Sequence, residues 1–248
     1  MKVSIITVCF NAGDVIGKTI NSIIKQDYDN IEFIIVDGLS TDNTKVIIEE
    51  NINDVDVYIS EKDLGIYDAM NKGIKLSTGD WLIFMNAGDV FASSDVVSNI
   101  VDCIHKSNNI NLIYGNYIIS NVEKSQKLSL TFLMSHMLNH QSVFYHSSII
   151  KNETYNLKYK FCADYAHLIN AFPKTRSIHF NKAISIYDNN GISSQDRNKY
   201  KMWLERLDAV WFSDLNITTK IYLSLRGVVS LPYQYIKTKV LYRGNFEK

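Results

Sequence analysis

Gly79-Asp80-Trp81-Leu82-Ile83-Phe84-Met85-Asn86-Ala87-Gly88-Asp89 is the stretch whose reading decides the fold. Trp81–Met85 is a short, unbroken apolar run bounded by turn residues, the pattern of a strand buried on both faces in a parallel sheet. The run ends in an amide, Asn86, and a carboxylate, Asp89, held apart by the small residues Ala87 and Gly88. Open α/β sheets bind ligands just beyond the carboxyl ends of their strands. The stretch therefore puts oxygen donors where such a protein holds a phosphate-bound metal. Upstream residues are expected to form scaffold and nucleotide pocket, downstream residues the side facing the second substrate.

Upstream, apolar runs alternate with helical periodicity. Val3–Val8 reads as a buried strand, and Val15, Ile16, Thr19, Ile20, Ile23 and Ile24 recur at helical spacing to about Gln26. Ile31–Val36 is a second strand. The turn and capping residues from Asp37 to Thr44 open a helix expected to bury Val46, Ile47 and Ile48. Val55, Val57 and Ile59 alternate with polar residues as in a more exposed strand, and Ile66–Leu76 reads as a helix. Strand and helix alternating at this spacing imply right-handed βαβ crossovers and a doubly wound, mostly parallel α/β sheet with helices on both faces.

Downstream, a helix is expected over Ser94–Ser107, capped by Ser93 or Ser94, then a strand over Leu112–Ser120 leading into a hairpin near Val122–Gln126. Trp203, Leu204, Leu207, Val210 and Trp211 trace a helix with an aromatic stripe. The expected division is a domain over 1–195, with a nucleotide-binding half to about 110 and an acceptor half from 111, followed by a helical extension over 196–248.

The 248 residues are 46% hydrophobic with two prolines and zero formal net charge, which fits a globular protein and argues against bulk nucleic-acid binding. Cys9, Cys103 and Cys162 form no C-x-x-C pair and are odd in number, as expected of buried thiols in a reducing compartment. Val3–Phe10 is too short and too quickly followed by a turn for a secretory signal. Leu128–Ile150 carries three histidines, Asn139 and Gln141, so it would insert poorly in a bilayer. A cytosolic or peripheral protein is expected.

Carboxylates follow successive strands at Asp37, at Glu61 and Asp63, and at Asp89. Helix capping explains any one of them, but parallel strand ends share an edge, so the set should converge. Asp37 suits the imide N–H of a uracil ring. Acidic groups beside a diphosphate call for a hard cation, Mg²⁺ or Mn²⁺. Neither G-x-G-x-x-G after the first strand nor G-x-x-x-x-G-K-[ST] occurs, against a dinucleotide dehydrogenase and a P-loop NTPase.

Val3–Asn11, Ile34–Gly38 with Ser40, Asp42 and Thr44, Glu61–Gly73 and Phe84–Asp89 together resemble glycosyltransferase family 2, inverting enzymes of GT-A fold that use nucleotide sugars. The resemblance covers roughly residues 1–195, and its nearest branch is the bacterial O-antigen and polysaccharide transferases. It implies that Thr7, Phe10 and Asn11 line base and ribose and that Asp37 and Gly38 hold the uracil. Asp63, Asn71 and Asp68 would lie by the nucleotide or sugar. Asn86-Ala87-Gly88-Asp89 corresponds to the family's D-x-D metal motif, with Asn86 and Gly88 in place of its two acids. Asp89, aided by the Asn86 amide oxygen, is then the candidate metal ligand. Asp164, in Phe161-Cys162-Ala163-Asp164-Tyr165, matches the family's acidic position before a helix and would be the catalytic base; an N-cap is the alternative. His140 and Gln141 would lie on the acceptor or diphosphate side.

His136 and His140 would share a face if their segment were helical, but the H-E-x-x-H form of a zinc site is absent. Asn189–Ser194 reads as a closing loop or a surface turn. From Lys220 to Lys248, six basic residues oppose one acid among aromatics. That suits an anionic membrane surface, or a packed helix with snorkelling lysines. The resemblance implies transfer of galactose or glucose from a UDP-sugar to an undecaprenyl-diphosphate-linked sugar at the inner face of a bacterial cytoplasmic membrane. The rivals are a catalytically inactive nucleotide-sugar-binding or scaffold protein, and a nucleotidyltransferase.

Overall fold

A computed structural model describes residues 1–187 and 198–225. Its strands are β1 (Val3–Cys9), β2 (Ile31–Asp37), β3 (Val57–Ser60), β4 (Trp81–Phe84), β5 (Val90–Phe91), β6 (Leu112–Ile119), β7 (Val122–Lys124), β8 (Val143–His146) and β9 (Ser177–Ile186). Its helices are α1 (Ile16–Ile24), α2 (Thr44–Glu50), α3 (Ile66–Leu76), α4 (Val96–His105), α5 (Leu130–Ser135), α6 (Ser147–Ile150), α7 (Ala163–Ala171) and α8 (Lys199–Trp211), and residues 217–225 are also helical.

All these strands join one nine-stranded sheet in the order β3-β2-β1-β4-β8-β6-β9-β5, with β7 paired to β6. The first four positions are parallel, in the register Cys9–Asp37–Ser60 across β1, β2 and β3 and Ile6–Phe84 across β1 and β4. β8 then runs antiparallel to both β4 and β6, while β9 is parallel to β6. The run through Trp81 is thus the buried parallel strand expected, and β1 sits where the strand order reverses. In open α/β sheets ligands bind at such a switch point, beyond the carboxyl ends of the strands.

Two compact units divide the chain. The first comprises Met1–Lys127, Leu138–Tyr155 and Thr175–Asp188; the second comprises Leu128–Met137, Asn156–Lys174 and Asn189–Lys248. Both units are discontinuous in sequence. The first unit holds the sheet and a core of Val3, Ile5, Ile16, Ile20, Phe33, Ile35, Trp81, Ile83, Val97 and Phe144 among others. α3 packs so close to β1 at Gly73 that a Cβ there would collide with Ile6 Cγ2.

Several local expectations need correction. In α2 only Thr44 and Ile48 are buried, and Val46 is 54% exposed. Three consecutive helical residues sweep about 200° and cannot share one face. α4 is shorter than expected, and Asp95, not a serine, occupies its N-cap position. Cys103 is only half-buried. β9 has no clear sequence signal, because its polar residues Asn181 and Lys182 interrupt the alternation. The hairpin turn between β6 and β7 puts Ser120 and Asn121 at φ 49° and 60°, as a primed two-residue turn requires.

The second unit contains α5, α7, α8 and the 217–225 helix. α7 is buried along most of its length. α8 buries only Ala209 and Val210, while Leu204 and Trp211 of the expected stripe are exposed. α5 ends at Ser135 and His140 opens a separate 3-10 turn, so His136 and His140 share no helix. Asn189–Ser194 and residues 226–248 lie outside the described residues. Among the described residues no helix is long and apolar enough to cross a membrane.

Candidate active site

The loops leaving β1 and β2 are laced together. Asn11, at φ 48°, receives the Thr41 N–H on its side-chain oxygen at 2.9 Å and donates its own N–H to Ser40 Oγ at 2.8 Å. The N–H groups of Ala12 and Gly13 reach Thr44 Oγ1 and Asp42 at 2.7 and 3.0 Å. Leu39 is held at φ 65°, a strained conformation for a side chain branched at Cγ, costing about 1–3 kcal/mol. Phe10, Leu39 and Leu64 project from the β1, β2 and β3 loops with 63%, 53% and 84% exposure.

Asp37 is fully buried, and both its oxygens are held from inside. Ser40 donates its N–H and its hydroxyl, and Ser60 donates its hydroxyl at 2.6 Å. The uracil contact expected of Asp37 stays a proposal; in this conformation its carboxylate orders the β2 loop through Ser40 and ties it to β3 through Ser60. Burial, and then the charge of Asp37, pushes the Cys9 thiol far above its usual range, so it stays protonated. Thr7 is likewise buried and donates to the Met85 carbonyl at 2.8 Å, tying β1 to the end of β4.

Gly38 stands between Phe10 and Asp63. A Cβ there would collide with Asp63 Oδ2 and lie 3.4 Å from the Phe10 ring. Asp63 Oδ1 accepts the Gly65 N–H at 2.8 Å, and Gly65 starts α3 at φ 124°. Asp68, in the first turn of α3, accepts the Leu64 N–H at 3.0 Å. Asn71 is buried and exchanges two 2.8 Å hydrogen bonds with the Tyr155 backbone, so its amide braces the Tyr155 segment. Its expected place by the nucleotide or donor sugar stays a proposal.

Beyond β4, Gly88 takes φ 105°, and the Asp89 N–H closes onto the Asn86 carbonyl at 2.9 Å. Thr19 of α1 clamps this turn, accepting the Gly88 N–H and donating to the Asp89 carbonyl. Ala87 is half-buried beside β1, its N–H on the Val8 carbonyl at 3.2 Å. Asn86 Nδ2 donates to His140 Nε2 at 3.0 Å, and Gln141 Nε2 donates to Asp89 Oδ2 at 2.6 Å. His140 and Gln141, assigned by sequence to the acceptor or diphosphate side, are thus joined to the β4 turn.

Mg²⁺ is held by one or two carboxylates together with phosphate oxygens and water. Here the turn offers Asp89, and Asn86 Oδ1 and Gln141 Oε1 are buried without a hydrogen-bond partner. Among the described residues no three acidic, histidine or cysteine side chains cluster to hold a metal. The donors fit a hard cation that takes most of its ligands from a diphosphate and water.

Asp164 lies in the second unit, buried in the first turn of α7. The N-cap position belongs to Cys162, so Asp164 is not that residue. The N–H groups of Lys160, Phe161 and Cys162 all go to the Glu205 carboxylate, at 2.9, 2.9 and 3.0 Å. Sequence reasoning misses Glu205, more than 40 residues away, as it misses Ser60 and Thr19; no local pattern marks them.

Residues 4–172 match the glycosyl transferase family 2 description. The chain belongs to that family. It is a glycosyltransferase, and enzymes of the family use nucleotide-sugar donors. A Mycobacterium bovis PGL/p-HBAD biosynthesis glycosyltransferase is 31% identical over 187 residues, 71% of this chain and 73% of that one. An Escherichia coli UDP-Glc:alpha-D-GlcNAc-diphosphoundecaprenol beta-1,3-glucosyltransferase is 32% identical over 120 residues, 48% and 47% of the two chains. Among solved structures, Staphylococcus aureus TarS with UDP superposes at TM-score 0.73 with 17% identity, covering 93% of this chain and 71% of that one. A Pyrobaculum calidifontis mannosyltransferase with GDP-Man and Mn²⁺ also reaches 0.73, at 13% identity and 100% and 76% coverage. At these identities the likeness establishes the GT-A fold.

Proposed function

We propose that this enzyme transfers a hexose, glucose or galactose, from a UDP-sugar with inversion to a lipid-diphosphate-linked sugar in bacterial O-antigen or surface polysaccharide synthesis. The observation that carries this is the single sheet edge on which Phe10, Gly38 and Asp63 adjoin, with Asn86 and Asp89 at the end of the neighbouring strand β4. The Escherichia coli relative, named for a UDP-glucose donor and a diphosphoundecaprenol acceptor, supports the substrate class. Phe10 offers an exposed ring for the base, and the absence of a side chain at Gly38 makes room for Asp63 beside that ring.

Asp164 is proposed as the base. It takes the proton of the acceptor hydroxyl as that oxygen attacks the anomeric carbon opposite the diphosphate. The bond from that carbon to the diphosphate oxygen breaks, its electron pair leaving with UDP. The transition state is oxocarbenium-like. Mg²⁺ or Mn²⁺, when bound, would supply positive charge to the leaving diphosphate, and Asp89 with Asn86 Oδ1 would hold it. Charge on the departing group is where fixed electrostatic stabilisation counts most. The basic, aromatic residues after Lys220 suit peripheral attachment to an anionic bilayer.

Calorimetric titration with UDP, GDP, UDP-glucose, UDP-galactose and GDP-mannose tests the donor. Transfer of radiolabelled hexose to a synthetic prenyl-diphosphate N-acetylglucosamine tests the acceptor. Preference for GDP, or transfer to a soluble sugar with none to the lipid-linked one, would overturn the reading.

A further inference from the structure

We propose that Glu205 is a positioning residue for the candidate base, fixing from α8 the chain segment that delivers Asp164. This inference rests on the reading of Asp164 as the base. The segment 156–162 that enters α7 is irregular, so its backbone N–H groups have no ladder partners. Glu205 takes three of them in succession, Lys160 on Oε1 and Phe161 and Cys162 on Oε2. Asp164 follows two residues after the last of these.

Neighbouring α8 side chains hold the same segment. Asp208, three residues from Glu205 and so on the same helix face, accepts Lys158 Nζ at 2.6 Å and Tyr159 Oη at 2.8 Å. Arg206 lies over the Tyr165 ring at 4.9 Å and donates to the carbonyls of Leu133 and His136. From Lys158 to Tyr165, α8 therefore grips the chain on both sides of Asp164. Glu205 has both oxygens committed to backbone N–H groups, which suits it to hold the segment that leads into α7.

A base must stand within about 0.5 Å of its working place, and a 1 Å displacement can lower turnover by about 10²-fold. Glu205 sets the axial position and rotation of the first turn of α7. Its loss should therefore lower kcat while leaving donor affinity alone, since the donor loops belong to the other unit.

The test uses the full chain and measures UDP release from UDP-glucose for the wild type, Glu205→Ala, Glu205→Gln and Asp164→Asn. It adds amide hydrogen exchange over residues 158–165. Glu205→Ala is expected to lower kcat by about tenfold to a hundredfold with the KM for UDP-glucose within about twofold. Glu205→Gln, which keeps acceptor oxygen, should recover part of the loss. Exchange should rise at Lys160, Phe161 and Cys162 and stay unchanged in the β-sheet.

Wild-type kcat in Glu205→Ala alongside an inactive Asp164→Asn overturns the role of Glu205 and leaves the base reading standing. Wild-type kcat in Asp164→Asn overturns the base reading itself. Unchanged exchange at residues 160–162, or equal rises in exchange throughout the chain, overturns the positioning role whatever the turnover.

Discussion

Replacing Glu32 by glutamine tests the scaffold beneath the site. Glu32 stands near the amino end of β2, on the edge of the sheet opposite the donor loops, and is 4% exposed. Burial by itself raises its pKa. Lys2 Nζ at 2.7 Å, Ser4 Oγ at 2.5 Å and the N–H and hydroxyl of Thr78 at 2.7 and 2.5 Å outweigh burial and bring the carboxyl from 4.5 down to about 2. At about 1.36 kcal/mol per pKa unit, that difference stabilises the folded state by about 3 kcal/mol. The folded pKa is the lower one, so the contribution is complete above the unfolded value of about 4.5 and fades as pH falls through about 2. Glu32→Gln should therefore cost about 3 kcal/mol at pH 7, less whatever the neutral amide keeps with Ser4 and Thr78. The gap between wild type and variant should close on acidification. Urea unfolding followed by far-UV circular dichroism at pH 7, 5, 4 and 3 measures it. A gap that stays constant from pH 7 to pH 3 would refute the linkage.

The remaining predictions concern the site. Asp164→Asn should keep UDP binding near wild type while transfer falls about 10²–10⁴-fold; more than a tenth of the wild-type rate, with an unchanged melting curve, speaks against a base. Asp89→Ala should abolish stimulation by Mg²⁺ or Mn²⁺, and Gln141→Leu, which removes a 2.6 Å hydrogen bond from that carboxylate, should weaken it. A chelator without effect on the wild type would sink the metal assignment. Asp37→Ala should weaken UDP binding roughly tenfold to a hundredfold, because Ser40 and Ser60 lose the charged acceptor that shapes the β2 loop. Unchanged affinity by calorimetry would show that loop to be irrelevant to the base.

Much of the first unit is legible in the sequence because its signals are local. Helical periodicity places α3 at Ile66–Leu76, and the unbroken apolar runs mark β1, β2 and β4 to within a residue or two. Parallel strands with consecutive crossovers bring their carboxyl ends to one edge, so the order of elements alone groups the loops at Asp37, Asp63 and Asp89. What those carboxylates touch is not legible. Asp37 faces inward because Ser60 arrives from β3 in register with it, and a strand partner 23 residues away leaves no trace in local spacing.

The family, the alternation of strand and helix, and the edge on which the donor loops gather are all written in contiguous chain. They follow from motif order, from side-chain periodicity and from the handedness of the crossover. Tertiary packing, and nothing short of it, brings β8 in antiparallel beside β4, bonds His140 and Gln141 to Asn86 and Asp89, and sets Glu205 at the entrance to α7. Each of these joins residues separated by tens of positions. A buried polar group takes whichever donor or acceptor packing delivers, and packing is a property of the whole fold.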